Sequence, residues 1–233
     1  MSVWQGLCDG GGIAFKGIID EDGIYYGFPF ALLTGGNTSV GPALTLAPHG
    51  GPMYMAWRGA GNDQSLYYAS FTPLNAETGT GPSLLSGPTQ IVVDGITPNS
   101  RIGPTLAVIG TTLYAAWIGV NNDLIMKFAS FDPSKKALSS LPAIPLDPTN
   151  SSIVASSIGP SLAAIGPTLY AAWATVSSDS DAHLYYAALD TSFTPPSWVG
   201  PTQISNYTTG FGISLAALSI TAKGPRHEDQ GPN

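Results

Sequence analysis

Short strand-length pieces in which nearly every position is apolar, separated by polar turns, recur along this chain. Within Leu113–Trp117 the two-residue period of an extended strand puts Leu113, Ala115 and Trp117 on one face and Tyr114 with Ala116 on the other, so both faces are apolar. Strands of this kind have to be covered on both sides. The pieces are rich in Val, Ile, Tyr, Trp and Thr and are bounded by Gly, Pro or Asn-Asp, which predicts strands and turns; no stretch carries the 3.6-residue period of a helix.

The pieces form a repeat. Gly41-Pro-Ala-Leu-Thr-Leu-Ala aligns with Gly103-Pro-Thr-Leu-Ala-Val-Ile and Gly159-Pro-Ser-Leu-Ala-Ala-Ile, and a weaker copy is Gly212-Ile-Ser-Leu-Ala-Ala-Leu. A second block follows each strong copy: Met53-Tyr-Met-Ala-Trp57, Leu113-Tyr-Ala-Ala-Trp117 and Leu169-Tyr-Ala-Ala-Trp173. The third block reads Leu66-Tyr-Tyr-Ala-Ser-Phe71, Ile125-Met-Lys-Phe-Ala-Ser-Phe131 and Leu184-Tyr-Tyr-Ala-Ala-Leu189, and a fourth, Gly87-Pro-Thr-Gln-Ile91, recurs at Gly200 to Ile204. Successive tryptophans lie 60 and 56 residues apart (117 − 57 and 173 − 117). Four strands per unit at this spacing predict propeller blades, in which small Ala residues let neighbouring sheets approach and large ones fill the gaps.

The expected fold is therefore all-β, a four-bladed β-propeller closed by pairing of the N- and C-terminal segments, with five blades as the alternative. Ile13-Ala-Phe-Lys16 resembles the Trp-bearing strand and Ile24-Tyr-Tyr26 the Tyr-Tyr strand, so Gly212 to Leu218 is expected to pair beside Ile13 to Gly17 and complete the first blade. Residues 1–223 read as a single domain and 224–233 as a disordered tail.

Composition narrows the partners. Of 233 residues, 43% are hydrophobic and 10% charged, with 28 Gly and 20 Pro feeding the turns. Eight Lys and Arg against a net charge of −7 leave no basic stripe for a phosphate backbone, so no nucleic acid is expected. No apolar run approaches the roughly 20 residues that span a bilayer, and residues 1–10 lack a basic segment followed by an apolar one, so no membrane span or signal peptide is seen and a cytoplasmic place or leaderless secretion is expected. The single cysteine, Cys8, excludes an internal disulfide.

The hairpins between the second and third blocks turn through Asp20-Glu-Asp22, Gly61-Asn-Asp-Gln64, Asn121-Asn-Asp123 and Ser177-Ser-Asp-Ser-Asp181. Carboxylates and amides there could bind vicinal hydroxyls while an aromatic face stacks on a sugar ring; the same residues are also ordinary turn formers. Trp57, Trp117 and Trp173 are either stacking platforms or interblade core. Arg58 follows Trp57 at a position held by Lys16, Ile118 and Ala174 in the other copies. The candidate ligand-binding residues are thus Lys16, Asp22, Trp57, Arg58, Asn62, Asp63, Trp117, Asn122, Asp123, Trp173, Asp181 and His183.

No catalytic set stands out. His49, His183 and His227 occupy no nucleophile or metal motif, the acids are spread one per blade, and Asp179, Asp181 and His183 offer too few oxygen ligands for calcium. A protein that is not an enzyme and holds no metal or cofactor is expected.

The unit Gly-Pro-x-Leu-Ala-x-x-Gly-x-x-Leu-Tyr-x-Ala-Trp, with Asn-Asp and Leu-Tyr-Tyr-Ala-Ser-Phe after it, resembles the repeats of bacterial and fungal β-propeller lectins and of sialidase-like propellers, over Gly41 to Leu189. The resemblance implies glycan binding through Trp57-Arg58, Asn62-Asp63 and Asn122-Asp123, and so a multivalent lectin whose partners are glycans or glycoconjugates. The alternative is a protein-interaction or oligomer-forming propeller of hemopexin-like design, working as a homo-oligomer without sugar binding.

Overall fold

The computed structural model describes residues 2–5, 12–16, 18–19, 25–26, 31–47, 51–72, 83–121, 123–132, 137–144, 155–156, 158–175, 182–208 and 213–215. These residues form strands and no helix. From the N-terminus come β1 (Ser2–Gln5), β2 (Gly12–Lys16), β3 (Ile18–Ile19), β4 (Tyr25–Tyr26) and β5 (Ala31–Asn37). Three meanders follow: β6 (Ala43–Leu46), β7 (Met53–Arg58), β8 (Leu66–Phe71) and β9 (Leu84–Gln90); β10 (Thr105–Ile109), β11 (Thr112–Ile118), β12 (Met126–Asp132) and β13 (Ala137–Ser140); β14 (Ser161–Ile165), β15 (Thr168–Ala174), β16 (His183–Asp190) and β17 (Ser197–Thr208). Each meander is a four-stranded antiparallel sheet paired in chain order, and β1, β2 and β5 form a three-stranded sheet.

The two apolar faces of each Trp-bearing strand explain how the sheets stack. Leu113, Ala115 and Trp117 join Tyr54, Ala56 and Leu66 in one buried cluster, while Tyr114, Ala116 and Ile118 join Leu169, Ala171 and Trp173 in another. Odd positions of β11 thus face the preceding sheet and even positions the following one, and burying both faces supplies the main driving force for stacking. Aromatic pairs bridge the same gaps: Tyr68 meets Phe131 with ring centroids 5.0 Å apart, and Phe128 meets Trp198 at 4.8 Å. The Trp198 indole N–H, on the outer strand β17, donates to the Pro142 carbonyl at 2.8 Å.

The first strands of the meanders are neighbours. β10 lies against both β6 and β14, the Leu162 N–H donates to Thr105 Oγ1 at 3.3 Å, and a Cβ at Gly103 would run into the Gly41 carbonyl. Four-stranded sheets stacked face to face with their first strands adjacent are arranged as propeller blades are. The weak fourth copy obeys the same rule: the Leu215 N–H donates to Ser161 Oγ at 2.8 Å, so Ile213-Ser-Leu215 stands to β14 as β14 stands to β10.

The register corrects the expected phasing at the N-terminus. Trp4 pairs with Ala14, as Trp57 pairs with Tyr67, Trp117 with Lys127 and Trp173 with Tyr185. β1 is therefore the Trp-bearing strand of its sheet and β2 corresponds to the Tyr-Tyr strand, in place of Ile13–Lys16 and Ile24–Tyr26. β1 and β5 occupy the two edges of β2, beside which Gly212–Leu218 was expected; of that segment only residues 213–215 are among the described residues.

A recurring turn starts each meander. Thr38, Ser100 and Ser156 are buried, and their hydroxyls accept from the N–H two residues on, at Val40, Ile102 and Ile158. Such turns satisfy backbone donors where the chain passes from one blade to the next. The tail proposed for 224–233 lies outside the described residues.

Candidate functional site

The hairpin after each Trp-bearing strand is built alike in the first two meanders. Asp63 Oδ1 accepts from the Ser65 N–H at 3.0 Å and Asp123 Oδ1 from the Ile125 N–H at 3.3 Å, so each carboxylate closes its own turn. Both turns begin with a glycine, Gly59 or Gly119, whose missing side chain leaves room for that carboxylate; a Cβ there would collide with it.

The second carboxylate oxygen separates the two. Asp63 Oδ2 accepts from the Tyr67 hydroxyl at 2.8 Å, and the Tyr67 ring stacks on Trp57 with centroids 6.0 Å apart and planes 20° from parallel. In the third meander Tyr185 stacks on Trp173 in the same way, at 6.2 Å and 21°. At the equivalent position the middle meander has Lys127, whose Nζ pairs with Asp123 Oδ2 at 3.0 Å. Among the described residues no ring is stacked on Trp117.

Beside Trp117 lies a cavity of about 590 Å³. One wall is the Trp117 to Phe128 hairpin with Asp123 and Lys127; the others are the Val93–Asn99 connection and the Ser140–Ala143 segment after β13. Val93, Ile96, Pro98, Val120, Ile125 and Leu141 make most of the lining apolar, and Asp94, Asn99, Asp123, Lys127 and Ser140 supply the polar groups. The Trp117 indole nitrogen is buried and has no hydrogen-bond partner among the described residues. An unpaired buried donor is costly, of order 1–3 kcal/mol, so it calls for an acceptor.

Asp94 is held across the cavity. It occupies a two-residue Asp94-Gly95 turn with both φ values positive, closed by reciprocal Val93 and Ile96 backbone bonds, and its Oδ2 accepts from the Ser140 N–H at 3.1 Å and from the Ser140 hydroxyl. The Ser140 hydroxyl, then the Ser140 N–H, hold the Asp94 carboxyl below its usual range. Asp63 is also lowered: burial opposes ionisation, but the Ser65 backbone and side chain, the Tyr67 hydroxyl and the Arg58 charge outweigh it.

Trp117 and Asp123 are thus the expected site residues that the fold brings together at this cavity. Trp57, Trp117 and Trp173 are all buried to 3% exposure or less, so none offers an open face as a platform. Arg58 is a tie between blades: its Nε donates to the Ser100 carbonyl at 2.8 Å, Nη1 to Ser39 Oγ at 2.7 Å and Nη2 to the Gly61 carbonyl at 3.3 Å. Asn62 is exposed at the tip of its turn, and His183 is exposed with Nδ1 3.4 Å from Gln203 Nε2. Lys16 lies in β2, two residues beyond Ala14, so it does not follow a Trp-bearing strand and loses its equivalence to Arg58, which passes to Gln5. Asp22, Asn122 and Asp181 lie outside the described residues.

Asp94, Asn99, Lys127 and Ser140 were not singled out from the sequence. Asp94-Gly95 is a recognisable hairpin dipeptide, and Lys127 replaces the tyrosine that the other two meanders have at that position; the other two are brought in only by the fold.

No protein-family profile matches the chain, and no curated protein matches its sequence. Among solved structures, the chain is similar to an alpha-L-arabinanase of Penicillium chrysogenum complexed with arabinobiose, with 12% identity and a TM-score of 0.47 over 73% of this chain. The chain spans 50% of that protein's length. The expectation of a protein that is not an enzyme is corrected by this finding, since the solved structure it resembles is that of an enzyme. Among the described residues no helix is long and apolar enough to cross a membrane, which leaves β-barrels unaddressed, and no three His, Cys, Asp or Glu residues gather as metal ligands.

Proposed function

We propose that this chain is a carbohydrate-binding four-bladed β-propeller whose principal sugar site is the cavity beside Trp117. The observation that carries the reading is the cavity itself, whose apolar lining carries a few polar groups, two of them carboxylates. A sugar presents C–H faces to such walls, and its hydroxyls can accept from Asn99 and Lys127 and donate to Asp94 and Asp123. The first and third blades stack a tyrosine on the corresponding tryptophan, so the binding is centred on the middle blade and is not spread over equal sites. Titration of neutral mono- and disaccharides against intrinsic fluorescence tests this: saturable binding weakened by Asp94→Asn is expected, and no saturable binding at millimolar sugar overturns it.

Four blades follow if Ile213-Ser-Leu215 is the first strand of the β1-β2-β5 sheet, which has the other three. The Leu215 to Ser161 bond supports that placement. Removal of residues 212–223 should then open the ring and lower the melting temperature sharply; an unchanged transition would reject closure.

One observation favours a second reading, glycoside hydrolysis. Two carboxylates, Asp94 and Asp123, line the same cavity, and Asp94 is held ionised as a base or nucleophile requires. Release of reducing ends from oligosaccharides, abolished by Asp94→Asn and by Asp123→Asn, is the expected result under this reading.

A further inference from the structure

Resting on the reading that the cavity beside Trp117 binds a sugar, we infer that the sugar it takes carries a saturated aliphatic chain, as in an alkyl glycoside. What the walls offer an incoming molecule is aliphatic, not aromatic. Trp117 and Phe128, the aromatic residues of the lining, are each 3% exposed, so a ring finds no open face to stack on. The open side chains are isoleucines: Ile96 is 72% exposed and Ile125 50%. Val93 and Leu141, half-buried, continue the same surface. Branched aliphatic walls gain most from saturated carbon, because removing apolar area from water is favourable and needs no fixed geometry.

Among the three meanders an isoleucine at this place is peculiar to the middle one. Arg58 pairs with Leu66, Ile118 with Met126 and Ala174 with Leu184, so the position just before these partners is Ser65, Ile125 and His183 in turn. Two blades fold with a polar residue there, so folding does not call for an exposed isoleucine. The charge of the walls then selects the head group. Lys127 neutralises Asp123, whereas Asp94 is held by the uncharged Ser140 N–H and hydroxyl. The cavity is left net negative, which disfavours a fatty acid and suits a neutral polyol. Ile96 lies in the chain between Asp94 and Asn99, and Ile125 between Asp123 and Lys127, so hydrogen-bonding groups flank each aliphatic contact. At about 590 Å³ the cavity falls within the roughly 300–1,000 Å³ of ligand sites, with room for a head and a chain.

The experiment titrates the full chain by calorimetry with five probes kept below micelle formation: methyl, butyl and hexyl glucoside, 1-hexanol and hexanoate. Butyl glucoside should bind at least about tenfold more tightly than methyl glucoside, part of the roughly sixtyfold that three fully buried methylenes give. The key variant, Ile125→Ser, writes the first blade's own residue into the wall and should cut that ratio to about threefold or less. Its melting temperature should hold, since Ile125 is half exposed, which separates a lost wall from a misfolded chain. Ile96→Ser, on the opposite segment, should lower the ratio in the same direction. Hexanoate should bind more weakly than 1-hexanol. Equal affinity for methyl and butyl glucoside would overturn this inference and keep the carbohydrate reading. Binding of 1-hexanol with no gain from the glucosyl group of hexyl glucoside would keep the aliphatic site and overturn that reading. Binding of none of the five would overturn both. A ratio unchanged in both folded variants, or hexanoate bound more tightly than hexyl glucoside, would sink the inference outright.

Discussion

The β6–β9 and β10–β13 sheets share strand order, a Trp-bearing second strand buried on both faces, and an Asp-closed turn opened by a glycine. At the position opposite the tryptophan one sheet has Tyr67 and the other Lys127. With tyrosine, the phenol stacks on the indole and donates to the carboxylate inside the blade. With lysine, the carboxylate takes an ion pair, the indole N–H goes without a partner, and a cavity lies beside it. One exchange at a single ladder position thus replaces a stacked phenol by an ion pair, while the Asp-closed turn and its glycine are kept.

The largest way to break this comparison is to remove the tryptophans. Trp57→Ala should destabilise the fold by about 3–5 kcal/mol, as large core deletions do. Trp117→Ala should cost less by roughly 0.5–1.5 kcal/mol, since no ring is stacked on it. Chemical denaturation of the two variants side by side measures the difference, and equal losses would contradict the contrast between the blades.

Arg58→Ala comes next. It strips the Ser100 carbonyl of its donor at the join between the first two blades, a loss of about 1–3 kcal/mol. The counterpart Ile118→Val should cost only about 0.5–1.5 kcal/mol as a deleted methyl in a packed core. If Arg58 serves a ligand instead, Arg58→Ala will leave the melting curve in place and abolish sugar binding.

Tyr67→Phe is smaller, about 0.5 kcal/mol for a solvent-reached hydrogen bond, and it has a pH signature. The Asp63 carboxyl titrates below its unfolded value, so its stabilising effect is fully present above about pH 4 and is lost as pH falls through the folded value. Removing the Tyr67 hydroxyl moves that folded value back up. The gap between wild type and Tyr67→Phe should therefore be constant near neutrality and narrow below about pH 4 in acid denaturation.

Much of this was legible in the residues. The three strong copies of Gly-Pro, Met/Leu-Tyr-x-Ala-Trp and the Asp turn marked the three meanders and the apolar character of both strand faces. The N-terminal unit was misphased, because Ile13-Ala-Phe and the Tyr25-Tyr26 pair resemble the second and third blocks locally, whereas Trp4 stands alone near the start. Hydrogen-bond register, in which Trp4 faces Ala14, overrode that likeness.

What the sequence alone determined is periodic: local alternation and turn residues act within a few positions, and a repeat states them again in each copy. The fold decided which polar groups meet. Asp94 and Ser140 are 46 residues apart in the chain and bonded in space, and Lys127 stands opposite Trp117 only through the ladder register. Cavities arise from what is missing between elements that pack together, and that absence is a property of the packed sheets, not of any stretch of chain.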